Sequence, residues 1–281
     1  MLVDKPSGPS SHDVVDAVRR AAGVRRVGHA GTLDPFASGL LLVLVGRTTR
    51  LSQYMVGLGK SYTGRIRLGV QTDTDDASGL VTAATEAWRT VETAEIERVM
   101  ASLTGRIVQR PPTYSAKKTG GERAYRLARR GRAVVLDATE VDVGVFHLVR
   151  HEESAVEFHA EVGSGTYIRA LARDLGAGLG CGAHLEALRR TRVGTFGIED
   201  AVSLEALDGR ALPLRSAGEA VHHLPRRDMT REEFQLVRHG RPLLGADQDE
   251  GPVALGYDGD LIAVAESVDG LLKPRVVLVH G

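Results

Sequence analysis

The sequence predicts an α+β fold: a mixed, largely antiparallel sheet with flanking helices, followed by a small β-rich C-terminal domain. Three observations carry that prediction. The unbroken apolar run Leu40 to Val45 stands between Gly39 and Gly46, too short for most helices and suited to a strand buried on both faces. Period-two alternation marks Tyr62 to Val70, then Val141, Val143 and Val145, then Val156, Phe158, Ala160 and Val162, as half-buried strands. Apolar residues at helical spacing separate these segments.

The elements follow in order. Ser10 and Ser11 offer an N-cap to a helix carrying Val14, Val15, Val18 and Ala22, and Gly23 supplies its left-handed stop. The apolar strand and the Tyr62 strand come next, and Ile96, Val99, Met100 and Leu103 mark a second helix. After the two alternating strands, Gly163 and Gly165 precede a third helix carrying Ile168, Leu171, Leu175 and Leu179. From Leu204 to Leu224 the pattern weakens into Gly, Pro and Ser, which places a domain boundary near Leu224. Residues 1–224 form the large domain. Residues 225–281, with a short helix near Phe234 to His239 and strands at Val253, Leu261 and Val276, form a domain near the lower size limit for independent stability.

Composition narrows the function. Lys and Arg number 36 against 36 Asp and Glu, so attraction to a polyanion must come from local segregation of charge, which disfavours a histone-like binder. The longest apolar run is far below the ~20 residues of a membrane span, and no apolar leader opens the chain. The single cysteine, Cys181, leaves no internal disulfide and fits a reducing, cytoplasmic compartment.

Asp34 lies in the polar, glycine-rich loop Gly28 to Pro35, where a side chain can be held rigidly yet face solvent. An Asp before Pro is equally suited to a turn or a cap. The loop has no lysine for a phosphate-binding P-loop. Asp73, Asp75 and Asp76 lack the distal Glu of a calcium loop, since Ala84 holds that position, and read as a solvated acidic turn. Gly163-Ser164-Gly165 lacks the third glycine of a dinucleotide fingerprint. Between Gly105 and Arg132 the cations Arg106, Arg110, Lys117, Lys118, Arg123, Arg126, Arg129, Arg130 and Arg132 meet only Glu122, and Tyr114 and Tyr125 interleave with them. Such a stripe is either solvated surface or an RNA-binding segment.

The run GHAGTLDPFASGL from Gly28 to Leu40 resembles the catalytic signature of the bacterial tRNA pseudouridine synthase B (TruB) family. Asp4-Lys5-Pro6-Ser7-Gly8, Thr72-Asp73-Thr74-Asp75, Pro111 to Lys118, Gly165-Thr166-Tyr167-Ile168-Arg169, Leu188-Arg189-Arg190 and Gly194-Thr195-Phe196 resemble family segments in the expected order. The resemblance spans residues 3–200. Val162 stands where the family usually has Cys.

That resemblance implies a pseudouridine synthase fold and isomerisation of uridine 55 in the tRNA T-loop, without metal or organic cofactor. It implies that Asp34 is the catalytic carboxylate and that Arg169 pairs with it and keeps it ionised. Tyr62 would stack on the flipped uracil and relay a proton, and Tyr167 and Leu188 would line its pocket. His29 would fill the space left by the opened loop. The stripe over 105–132, with Arg110, Lys117, Lys118, Arg123, Arg126, Arg129 and Arg130, would clamp the T-arm, and 225–281 would be a PUA-like RNA-binding domain. A monomer with no obligate protein partner is expected. The other function consistent with these residues is a T-loop folding chaperone in which catalysis is secondary. A related synthase working on other RNAs inside a complex fits less well, because the chain has no long basic tails.

Overall fold

Ser10 starts the first helix, α1 (Ser11–Ala22): its hydroxyl accepts from Asp13 N–H while the Asp13 carboxylate accepts from Ser10 N–H, a reciprocal cap. Gly23 ends it at φ 61°, a conformation that glycine adopts without a Cβ penalty. The computed structural model describes residues 1–114, 136–207, 212–245 and 251–279, and the backbone alone at 118–119 and 122–123.

The large sheet takes β1 (Leu2–Lys5), β2 (Val27–His29), β3 (Ser38–Val45) and β4 (Lys60–Leu68) from the first part of the chain. A hairpin of β5 (Val70–Thr72) and β6 (Val81–Ala84) stands beside it. The sheet then adds β7 (Gly105–Gln109), and β8 (Lys118–Thr119) pairs with β9 (Glu122–Arg123) as a separate ribbon. It is completed by β10 (Thr139–Glu152), β11 (Ala155–Val162), β12 (Ala183–Val193), β13 (Phe196–Gly197) and β14 (Val202–Ser203). The order is β14-β1-β3-β12-β4-β11-β10-β7, with β2 on β3 and β13 on β12. Only β1–β14 and β3–β12 pair in parallel within this sheet. The expected apolar strand is β3, and six of its eight residues are buried.

Helix α2 (Ser52–Met55) is a single turn. Helices α3 (Thr93–Ser102) and α4 (Ile168–Gly178) lie on one face of the sheet, where Ile96, Met100, Leu171 and Leu175 pack with Ile66, Leu68 and Phe158. On other strands, α1 buries Val14, Val15 and Val18 with Val3, Leu41 and Val43. Strand β12 was not foreseen, because AHLEALRRTRV carries three arginines and two bulges that break the period of two. It lies between β3 and β4 and approaches β3 so closely that a Cβ on Gly39, at φ 106°, would come 2.3 Å from the Arg190 carbonyl oxygen.

Beyond the large sheet come α5 (Ala217–Ala220), β15 (Arg226–Asp228), α6 (Arg231–Val237), β16 (Leu243–Leu244), β17 (Pro252–Tyr257), β18 (Asp260–Val268) and β19 (Leu271–Val277). These strands form a second sheet, β15-β17-β18-β19-β16, with its own core around Val237, Val253, Leu255, Ile262 and Leu272. Arg47 donates to Leu278 O (3.1 Å), and Arg50 donates to Val277 O (2.9 Å) and Arg275 O (3.1 Å). Leu51 is buried among Val221, Leu261, Val264 and Val276 and so ties the two sheets together. Leu51→Ala is expected to cost about 2–5 kcal/mol in urea unfolding, with earlier proteolysis in 225–281. Among the described residues no helix is long and apolar enough to cross a membrane.

Candidate active site

A chain segment can hold a reactive side chain still only if its own backbone is tied down, and Gly31 to Pro35 is tied at nearly every carbonyl. Arg190 donates to Gly31 O (3.0 Å) and Thr32 O (3.4 Å), and Ser11 Oγ both donates to Leu33 O (2.9 Å) and accepts from Leu33 N–H (2.8 Å). Ala37 N–H donates to Asp34 O (3.1 Å), while Gly8 N–H (2.8 Å) and Lys5 Nζ (3.3 Å) donate to Pro35 O. The loop is thereby fixed to α1, β1 and β12, and the Asp34 carboxyl projects from it into a cavity of about 330 Å³.

Asp34, Tyr62, Tyr167, Arg169 and Leu188 all line that cavity, together with Lys60, Arg190, Val56 and the Gly163 to Thr166 loop. Strand β4 contributes Lys60 and Tyr62, β12 contributes Leu188 and Arg190, and the start of α4 contributes Tyr167 and Arg169. Tyr62 is 8% exposed and faces the cavity beside Arg190. His29 does not join the lining: it lies on β2 upstream of the loop, with Nδ1 buried and without a hydrogen-bond partner. Burial, then Arg190 and His12, hold the His29 imidazole below its ordinary pKa, which favours the neutral ring.

Arg169, 5% exposed, is the hub. Its Nε lies 2.9 Å from Asp34 Oδ2 and its Nη1 3.4 Å from Asp76 Oδ2, and it donates to Thr74 O and Tyr114 O, both at 2.9 Å. The expectation of a solvated acidic turn at Asp73 to Asp76 is therefore corrected. The β5–β6 hairpin folds Asp76 inward, where Thr74 Oγ1 (2.8 Å), Ser78 N–H (2.9 Å) and Arg169 satisfy it. Asp75 pairs with Arg173, which also donates to Arg110 O.

The pKa of Asp34 is raised: burial is the largest cause, and Asp76 adds to it, while Arg169 and then Lys5 pull it down. Arg169 thus offsets the desolvation only in part. The side chain remains 40% accessible. A carboxylate open to substrate yet poorly hydrated is a stronger base than an ordinary surface Asp.

Several supporting residues were missed in the sequence. Lys5 has no exposed surface and donates to three carbonyl oxygens, Pro6, Pro9 and Pro35; its inward position was readable, since it alternates with buried Val3. Burial brings its pKa down to about 8. Arg190, 1% exposed, shares a face of β12 with Leu188, a parity hidden by the unforeseen strand. The Gln109 side-chain amide holds the Tyr167 backbone: Oε1 accepts from Tyr167 N–H (2.8 Å) and Nε2 donates to Tyr167 O (3.2 Å). Of the basic stripe, Arg110 is exposed at the end of β7, and Lys118 and Arg123 pair across the β8–β9 ribbon. Lys117, Arg126, Arg129 and Arg130 lie outside the described residues.

Residues 19–168 match the family model described as TruB family pseudouridylate synthase (N terminal domain), and residues 169–223 match the tRNA pseudouridylate synthase B C-terminal domain. A protein named tRNA pseudouridine synthase B from Mycobacterium sp. (strain KMS) is 45% identical over 99% of this chain and 95% of its own length. One of the same name from Thermobifida fusca (strain YX) is 46% identical over 99% and 97%. Among solved structures, an H/ACA RNP bound to a substrate RNA containing 2′-deoxyuridine aligns at TM-score 0.75 and 25% identity, covering 99% of this chain and 84% of its own. The archaeal box H/ACA sRNP Nop10-Cbf5 complex aligns at 0.74 and 26%, covering 99% and 85%.

Proposed function

Because the chain belongs to the TruB family of pseudouridylate synthases, it is a tRNA pseudouridine synthase, and we propose that it acts on uridine 55 of the T-loop with Asp34 as its catalytic carboxylate. The observation that supports that role is the pocket, in which Asp34 is the one acid among the described lining residues and is oriented by Arg169.

The reaction breaks the N1–C1′ bond, turns the uracil ring and joins C5 to C1′. A proton leaves C5 and one is gained at N1, so the atoms balance without a second substrate. The target must first leave its stack, at about a few kcal/mol, and stacking inside the pocket offsets that cost. Tyr62 and Tyr167 offer ring faces and Leu188 an apolar wall. Asp34 then assists the bond cleavage, a carboxylate's usual part at an anomeric carbon. Tyr62, facing the same cavity as Asp34, is placed to move the C5 proton.

On this reading residues 1–224 are the catalytic domain, 225–281 add PUA-like RNA contacts, and the chain works as a cytoplasmic monomer on tRNA alone. The stripe over 105–132 supplies the local positive charge that a neutral protein needs. Neutralising Arg126, Arg129 and Arg130 together is expected to weaken T-arm binding and to flatten the slope of log affinity against log salt by roughly 2. An unchanged slope would make the stripe ordinary solvated surface.

A further inference from the structure

Four charged side chains line the pocket: Asp34, Lys60, Arg169 and Arg190. Arg169 is balanced by Asp34 and Asp76. Lys60 and Arg190 have no carboxylate partner among the described residues. Arg190 is sealed in and spends its N–H groups on Leu40 O (2.8 Å), Gly31 O and Thr32 O. Lys60 differs. Its ammonium donates to Val56 O (2.7 Å) and Leu58 O (2.6 Å), which fixes its direction and leaves one of its three N–H donors without a partner among the described residues. A half-buried cation without an anion is an unfavourable arrangement unless a ligand's charge completes it.

Depth within the pocket says which part of the ligand that is. The deep residues are Leu33, Tyr62, Arg169 and Arg190, all buried, whereas Val56, Ser164 and Gly165 are exposed at the rim. Lys60 is two residues from Tyr62 on β4 and therefore on the same face, but it is half-buried, between the deep residues and the rim. A nucleotide that enters base first stacks its ring against Tyr62 and leaves its sugar-phosphate beside Lys60.

We infer that Lys60 is a specificity-determining residue whose free N–H holds a phosphodiester flanking the flipped uridine, an inference that rests on the proposed function above. The contact pays out only when the base is seated, so it couples recognition of the backbone to extrusion of the target.

Proton linkage gives the inference a signature. Burial, then Arg190, lower Lys60 to about 8 in the free protein. The charged groups around it are Arg190 on β12, Asp34 on its loop and Arg169 on α4, with Tyr62 beside it on β4 and Tyr167 at the start of α4. Because a lowered lysine pKa means that charge is present below about 8 and lost above it, substrate binding weakens as pH rises through that value. A phosphate restores the higher pKa, so binding near that pH takes up a proton.

The test combines Lys60→Met and Lys60→Arg with T-arm stem-loops carrying a neutral methylphosphonate on either side of the target uridine. Lys60→Met should raise KM about 10-fold with kcat little changed, and should lower the salt slope by about 0.7 to 0.9. Lys60→Arg, charged at every pH used, should restore KM and remove its alkaline rise. One of the two methylphosphonates should raise KM for the wild type and add nothing to the Lys60→Met penalty. A loss confined to kcat, penalties that multiply independently, or variants indistinguishable from a wild type that turns over would each overturn the inference. Absence of turnover in the wild type would count against the proposed function itself.

Discussion

Asp34→Asn is expected to lower pseudouridine formation by about 10⁴-fold or more, the scale on which removal of a group that reacts with substrate is felt. The amide is nearly isosteric and its oxygen can still accept from Arg169 Nε, so the loop, pinned through its backbone by Ser11, Lys5 and Arg190, keeps its shape. RNA affinity should change by no more than about threefold, since the pocket loses an anion rather than a phosphate contact. Electrophoretic-shift binding and single-turnover assays on one preparation separate the two effects. Wild-type turnover by the variant would remove Asp34 from the mechanism.

The second large effect concerns the two charges that act on Asp34 in opposite directions. Arg169→Gln and Asp76→Asn should each lower kcat by about 100-fold, because either change frees the guanidinium or the carboxylate from the geometry that the reaction uses. Their pH profiles should separate them. Arg169 pulls the Asp34 pKa down, so its loss moves the acid limb of kcat/KM to higher pH. Asp76 pushes that pKa up, so Asp76→Asn moves the same limb to lower pH. A carboxylate must be ionised to act as base or nucleophile, and activity is therefore lost as pH falls through its pKa in every variant. Limbs that shift together would mean that the pair acts through structure alone.

The elements legible in the sequence were those whose apolar residues repeat cleanly. Helix α1 announced itself through Ser10 and Gly23, β3 through the unbroken apolar run Leu40 to Val45, and α4 through Ile168, Leu171 and Leu175. Strand β12 did not, because its charged residues serve the site: Arg190 anchors the Asp34 loop, Arg189 pairs with Asp4, and the bulges that re-aim them erase the alternation.

The site was legible in the same uneven way. Resemblance picked out Asp34, Tyr62, Tyr167, Arg169 and Leu188, which four different parts of the fold bring to one cavity. Asp76 was misread as solvated, since nothing local in TDTDDASG shows that the hairpin turns that carboxylate toward an arginine 93 residues later (169 less 76). Arg190 and Lys60 escaped because a lone cation in a sequence reads as surface until its partners, here carbonyl oxygens, are seen.

The central claim is that this pocket converts one uridine of the T-loop through Asp34. Its most direct test is tritium release from T-arm stem-loops labelled at C5 of a single uridine, assayed with the purified chain and with Asp34→Asn in chelator. Bond formation at C5 expels that hydrogen. Release approaching one equivalent per RNA when the label is at uridine 55, with none when another uridine carries it and none by Asp34→Asn, is the predicted result. Release from a different uridine, or equal release by the variant, would contradict the account.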